Sequence, residues 1–295
     1  HTTVENCKLM NNKGNGIGIG GGTASIINSE IFSNTHVGIG VVSSGSAWIG
    51  FNRFKSGLSD TPVPFTGGNT IKNNGGGGID ISLGGSAIIG GNTIKDNGYA
   101  YPTAGSRSGI RVLGASAILI GDNRITGNYS SGVLAQGASV YIVGGQGFGF
   151  LNLVNEISGN GLANDDCEVR GAISSSFEIA FTNIIGNATG PKTDGLCLQR
   201  RSTAKLNGNV TISNNNSGIV VNRGGGLFME GGTSVKVTNN TNWGIRCIRA
   251  APWQDMEPDH ESSIYPFRKN GDVVTTDGYF YNNTPDAVEP LCTSF

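Results

Sequence analysis

Two residues at matched places in the sequence could do chemistry together. Asp80 stands third in Gly78-Ile79-Asp80-Ile81, and Arg111 stands third in Gly109-Ile110-Arg111-Val112. If those segments lie side by side, a carboxylate meets a guanidinium. Such a pair can hold a sugar hydroxyl or move a proton, and it can equally be a cross-strand ion pair worth at most about 1 kcal/mol. Further candidates gather around other copies of the phrase: Tyr99, Tyr101 and Arg107 ahead of Gly109, Asp165, Asp166 and Glu168 after Asn160, and Asp194 ahead of Gly195. Two carboxyls about 5 to 9.5 Å apart could hydrolyse a glycosidic bond. Asp165 and Asp166 adjoin in sequence, so at most one can aim into a groove, and turn-making suits them better. A second row, Trp48, Ile88, Leu119 and Tyr141, aligns in the segments that precede each N-x-I. An exposed apolar row asks for a cover: a segment of this chain, a neighbouring subunit, or a sugar face on Trp48 and Tyr141. Histidine occurs only at His1, His36 and His260, so no Ser/His/Asp arrangement emerges.

These side chains act together only if something sets them in register, and an internal repeat does so. The phrase N-x-I-x-x-N, a short gap, then G-I-x-I recurs along almost the whole chain. Its anchoring glycines fall 22 or 23 residues apart where nothing is inserted, as from Gly16 to Gly38, Gly109 to Gly132 and Gly195 to Gly218. Apolar residues alternate with small or polar ones over three to five positions, which is the period of a strand. One such strand cannot bury its apolar face alone, but equivalent strands stacked coil upon coil can. The expected fold is therefore all-β, a parallel β-helix of about ten coils. Asn34, Asn74, Asn97, Asn128, Asn160, Asn187, Asn215 and Asn240 form a row at one corner, where an amide suits a sharp bend and can hydrogen-bond up and down the stack. On the G-I-x-I strand the outward ladder reads Gly18, Gly40, Asp80, Arg111, Leu134, an unread coil, Cys197, Val220 and Arg246. Stacked coils sit about 4.8 Å apart, close enough for Asp80 and Arg111 to pair. The long gaps after Asn97, Asn160 and Asn187 leave from one corner, so their residues are expected to form a wall beside the ladder and enclose a groove.

The phrase resembles the parallel β-helix repeat of the pectate-lyase-like superfamily over roughly residues 4 to 292. That resemblance implies a right-handed helix and a polysaccharide or other glycan in the groove. It also implies acidic side chains holding calcium in a lyase, with Lys or Arg as base. Carboxylate oxygens suit calcium, but the ladder offers one Asp, two Arg and several apolar or Gly residues, so no cofactor is expected unless the chain is a lyase. Glu257-Pro258-Asp259-His260-Glu261 resembles, in permuted order, the Asp-Pro-His-Asp motif of β-helical mannuronan epimerases. It falls off the ladder, and no diagnostic lyase, polygalacturonase or pectin-esterase motif is present.

Composition agrees with a solenoid. The 295 residues include 49 Gly and 32 Asn, poor helix formers, with only 14% charged residues. Net charge is −1 without long runs of either sign, which argues against nucleic-acid binding. No apolar stretch approaches the ~20 residues of a membrane span. Five cysteines lack metal spacing, so disulfides with one thiol left over are expected, Cys247 with Cys292 being a candidate pair, and export follows. Six N-x-S/T sequons, at Asn128, Asn187, Asn209, Asn215, Asn239 and Asn282, mostly coincide with the repeat and read as its by-product. Coils are expected over residues 1–249, opening mid-coil without an amino-terminal cap, so that another copy could stack end to end. Residues 250–295, rich in Pro and aromatics, are expected to hold an excursion, a last coil and a cap. The functional expectation is an extracellular or surface module with a structural, adhesive or filament-assembly role, contacting carbohydrate or copies of itself; the alternative is a polysaccharide lyase or glycoside hydrolase.

Overall fold

A computed structural model describes residues 1–51, 68–100, 107–144, 153–162, 167–187, 193–229 and 235–248, with the backbone of five short strands between 263 and 288. The chain winds as a parallel β-helix. Each coil contributes one strand to each of three ten-stranded parallel sheets, whose strands follow one another in coil order. Coil 1 runs through Thr2–Glu5, Lys8–Met10 and Ile17–Gly20, and coil 4 through Ser86–Ile89, Thr93–Lys95 and Ile110–Leu113. Coil 6 runs through Ser139–Ile142, Asn155–Ser158 and Cys167–Ala172, and coil 7 through Ser176–Ile179, Thr182–Ile185 and Asp194–Gln199. All three strands of nine coils are described with their side chains, and those of a tenth by backbone, Ser263–Tyr265, Phe280–Tyr281 and Asp286–Val288. The expected excursion and cap otherwise lie outside the described residues, as does Cys292.

The interior is one continuous stack of aliphatic side chains. Ile31, Ile71, Ile94, Ile125, Ile157, Ile184 and Ile212 rise through the second sheet, and Ile39, Ile79, Ile110, Val133, Val169, Leu196 and Ile219 through the third, all at 0% exposure. Strand alternation puts every second residue inside, and β-branched side chains pack well on a pleated surface. The first sheet uses Ala24, Ala47, Ala87 and Ala117 in one column, followed by Val140 and then Phe177. Gly171 makes the room: a Cβ there would lie 2.8 Å from the Phe177 ring.

The corner between the second and third sheets is built from two neighbouring residues with separate duties. Ser33, Asn73, Asp96, Gly127, Gly159, Asn214 and Asn239 take left-handed φ values between 52 and 64°, a region that Gly, Asn and Asp tolerate best. The residue after each is the ladder Asn, so the bend belongs to the position before the expected one. Each ladder amide repeats one pattern. Asn74 N–H and Nδ2 both donate to Asn97 Oδ1, at 3.1 and 2.9 Å, and Asn97 N–H and Nδ2 donate to Asn128 Oδ1, at 3.1 and 3.0 Å. The first Asn of N-x-I-x-x-N builds a second ladder at the corner between the first and second sheets. There Asn69, Asn92, Asn123 and Asn155 are chained in the same way, an arrangement absent from the sequence reading although its repeat was in view.

Candidate functional site

The register of the third sheet confirms the outward ladder and fills its unread coil with Arg170, between Leu134 and Cys197. Asp80 lies beside Arg111. The two form an ion pair through Asp80 Oδ2 and Arg111 Nη2, with 14% and 22% of their side chains exposed. Asp80 Oδ1 and Arg111 Nε are buried without a hydrogen-bond partner among the described residues. Beneath the pair, Gly18 and Gly40 place no side chains on the sheet. A cleft of about 200 Å³ opens there between Asn15, His36, Val37, Gly76 and Val42.

A second and larger cleft lies further along the same sheet. It encloses about 320 Å³ between Gln136, Arg170, Gln199, Asn222, Arg200 and Arg223, with Ala172 and Ile173 completing its wall. Gln136, Arg170, Gln199 and Asn222 project from strands, while Arg200 and Arg223 occupy the next corner with φ of 50°. Arg170 donates to Gln199 Oε1 at 3.3 Å. Guanidinium forks and amides side by side, with no carboxylate among the residues that line the cleft, make a surface for oxyanions and sugar hydroxyls. Sequence reasoning found Arg170's position but not its identity there, and it missed Gln136, Arg200 and Arg223. Their signal was the residues just past each G-I-x-I, which the repeat places at one corner.

No family profile, curated protein or solved structure matches this chain. The resemblance to pectate-lyase-like proteins therefore rests on the repeat and the parallel β-helix.

Of the residues expected in the wall, Tyr99, Arg107, Glu168 and Asp194 are described. Tyr99 is 50% exposed. Gly98, with φ of 91°, lies so close to the Arg107 backbone that a Cβ would sit 2.5 Å from its Cα, which pinches the base of the loop carrying Tyr99. Tyr101, Asp165 and Asp166 fall outside the described residues, as does the Glu257–Glu261 run. Asp194 is half-buried and accepts from Asn216 Nδ2 at 3.0 Å and Ser217 N–H at 2.8 Å, so it braces the next coil. Glu168 does not line a wall at all. It is fully buried, and its carboxyl accepts from Asn160 N–H, Asn160 Nδ2 and the Thr193 hydroxyl. Burial pushes this carboxyl up to about 7, and the hydrogen bonds from Asn160 and Thr193 only partly offset that. Among the described residues no group of three His, Cys, Asp or Glu side chains could hold a metal ion.

The aromatic row lies on another face. Trp48, Ile88, Ile118 and Tyr141 are lateral neighbours on the outside of the first sheet, so Ile118, and not Leu119, is the outward residue. Leu119 points into the core at 0% exposure. The motif Ala-Ile-Leu-Ile offers two apolar residues in succession, and only the pairing of Ala117 with Ala87 sets the phase. Trp48 is half-buried with its ring 5.8 Å from that of His1, while Tyr141 is 45% exposed.

The cysteines form a pair besides the candidate Cys247–Cys292, whose Cys292 lies outside the described residues. Cys167 and Cys197 form a disulfide between coils 6 and 7 on the outer side of the third sheet, packed with Val220 and Ile248. Cys247 is disulfide-bonded, and Cys7 is a free thiol. No helix among the described residues is long and apolar enough to cross a membrane.

Proposed function

We propose that this chain is an extracellular β-helix module that binds an anionic carbohydrate along its third sheet, in a structural or adhesive role. The cleft of Arg170, Arg200 and Arg223, interleaved with Gln136, Gln199 and Asn222, carries the reading. Guanidinium groups take carboxylate or sulfate oxygens bidentately, and amides read the hydroxyls between them. The Cys167–Cys197 disulfide supports an oxidising compartment. The test is binding of uronate-containing, sulfated and neutral polysaccharides at two salt concentrations. Acidic polymers should bind more tightly at low salt, and Arg200→Ala with Arg223→Ala should weaken them by about tenfold, about 1.4 kcal/mol. Equal binding of neutral and acidic polymers, or none, refutes the reading.

A second reading, a polysaccharide lyase or hydrolase, is favoured by one observation: Asp80 and Arg111 each retain a buried polar atom that nothing among the described residues satisfies. Such unmet groups often mark a ligand or a catalytic role. Release of unsaturated products or reducing ends from a polysaccharide panel, abolished by Asp80→Ala, would establish it. Calcium would be required only if the activity is that of a lyase.

A further inference from the structure

The glycine column that opens the third-sheet strands exists because each Cβ would strike the next coil's ladder amide. At Gly109 it would lie 2.8 Å from Asn128 Nδ2, and at Gly132 2.7 Å from Asn160 Nδ2. In coil 6 the register gives this position to Glu168, since Val169 pairs with Val133 on one side and Leu196 on the other. Its side chain thus enters the place where the coil-7 amide, Asn187, would stand. It also takes over that rung's duty. Asn160 N–H reaches both carboxyl oxygens at 3.1 Å, and Asn160 Nδ2 reaches Oε2 at 2.7 Å. The Thr193 hydroxyl donates to Oε1 at 3.0 Å. The ladder resumes above, from Asn215 to Asn240.

An amide rung is neutral at every pH, whereas a carboxyl is not. The described groups around it are Asn160, Gly159 and Thr193, none of them titratable. The titratable groups on the same strand and the next, Arg170 and Asp194, are engaged elsewhere, with Gln199 and with Asn216 and Ser217. Asp165, Asp166 and Lys192, on the connecting segments, lie outside the described residues. We propose that Glu168 is a proton-dependent rung, which closes the corner between coils 6 and 7 as the neutral acid and loosens it as the carboxylate. The neutral acid can donate a hydrogen bond from its O–H to Thr193 Oγ1, the hydroxyl turning from donor to acceptor. The carboxylate is left buried among neutral donors, where desolvation penalises its charge, and the corner opens to hydrate it. Burial places the titration at about 7, within the range of ordinary surroundings. The strands it ties, Cys167–Ala172 and Asp194–Gln199, carry Arg170 and Gln199, but the device holds whether or not that cleft takes a glycan.

The test uses the full chain with its disulfides intact. Carboxyl-carbon NMR should show one glutamate titrating about two pH units above the ordinary value, its signal vanishing in Glu168→Gln. Hydrogen exchange, corrected for the intrinsic pH effect, should quicken by about tenfold between pH 5.5 and 8.5 in segments 156–160 and 194–199 but not in 70–95. Glu168→Gln should abolish that difference. A glutamate set titrating wholly near the ordinary value, exchange that quickens uniformly, or an unchanged response in Glu168→Gln overturns the proposal. If Glu168→Gln does not fold, the wild-type titration and the local-against-distant exchange decide it alone.

Discussion

Removing one amide from the middle of the ladder should cost far more than its size implies. Asn97 is fully buried; its Oδ1 accepts from Asn74 N–H and Nδ2, and its Nδ2 donates to Ile71 C=O at 3.1 Å and Asn128 Oδ1 at 3.0 Å. Asn97→Ala deprives Asn74 N–H and Ile71 C=O of these partners inside the stack, leaves Asn74 Nδ2 with its bond to Ile31 C=O alone, and leaves Asn128 Oδ1 with the Asn97 N–H alone. At about 1 to 3 kcal/mol for each buried group left unmet, with some recovered by relaxation, the loss should be about 4 kcal/mol. That is a large share of the roughly 5 to 15 kcal/mol that holds an ordinary domain together. The neighbouring Asn73→Gly provides the control. Asn73 is exposed and supplies only the left-handed bend with φ of 52°, so glycine there should change stability by less than about 0.5 kcal/mol. Equilibrium denaturation of both variants in guanidinium chloride checks the contrast, with the slope m compared to ensure that unfolding stays cooperative. A loss below about 1 kcal/mol for Asn97→Ala at unchanged m would refute the view that the amides hold the corner together.

Other perturbations separate the remaining interactions. Glu168 titrates at about 7 in the folded chain against 4.5 unfolded, so its neutral form favours folding. Wild-type stability should fall by about 3 kcal/mol as pH rises from about 4.5 to 7 and then level off, and Glu168→Gln should remove that slope, measured as midpoint against pH. Replacing Cys167 and Cys197 by Ser opens a link across 30 residues and should cost about 3 to 4 kcal/mol in the same assay. Gly109→Ala would bring a methyl 2.7 Å from Ile125 Cγ2 and 2.8 Å from Gly132 C=O, so a loss of about 1 to 3 kcal/mol is expected from thermal melts. Ile118→Lys should fold normally while Leu119→Lys should not, as far-ultraviolet circular dichroism would report. The opposite result would mean that the first sheet's phase is misassigned.

Much of this architecture was legible because a 22- or 23-residue repeat turns distant positions into neighbours. The Asp80–Arg111 pairing and seven buried members of the Asn row follow from counting from each anchoring glycine. Three features escaped for physical reasons. The phase of Ile118 and Leu119 was ambiguous because two adjacent apolar residues satisfy either alternation. Glu168 looked like a surface acid because charged side chains are almost never fully buried without a partner. Its position in the glycine column nonetheless signalled the clash with the next rung. Arg200 and Arg223 lie past the repeat phrase, in corners whose side-chain direction depends on a left-handed residue that sequence marks poorly when it is neither Gly nor Asn.

The irregularities of the stack gather at one interface. Between coils 6 and 7 a carboxyl replaces an amide, Gly171 yields space to Phe177, and the first-sheet column passes from Val140 to that aromatic ring. A solenoid's stability is close to a sum of nearest-neighbour terms, so one poor interface limits how far cooperativity spreads along it. The Cys167–Cys197 disulfide spans this same interface and holds the two coils together whatever the state of Glu168. The cleft of Arg170, Gln199, Arg200 and Arg223 crosses this interface as well. The seam that would separate first is therefore the one that carries both the covalent tie and the densest set of anion-binding side chains. Reducing the disulfide above pH 7 should expose residues 167–199 to proteolysis before coils 1–5, and simultaneous loss of protection along the whole chain would show that the seam does not exist.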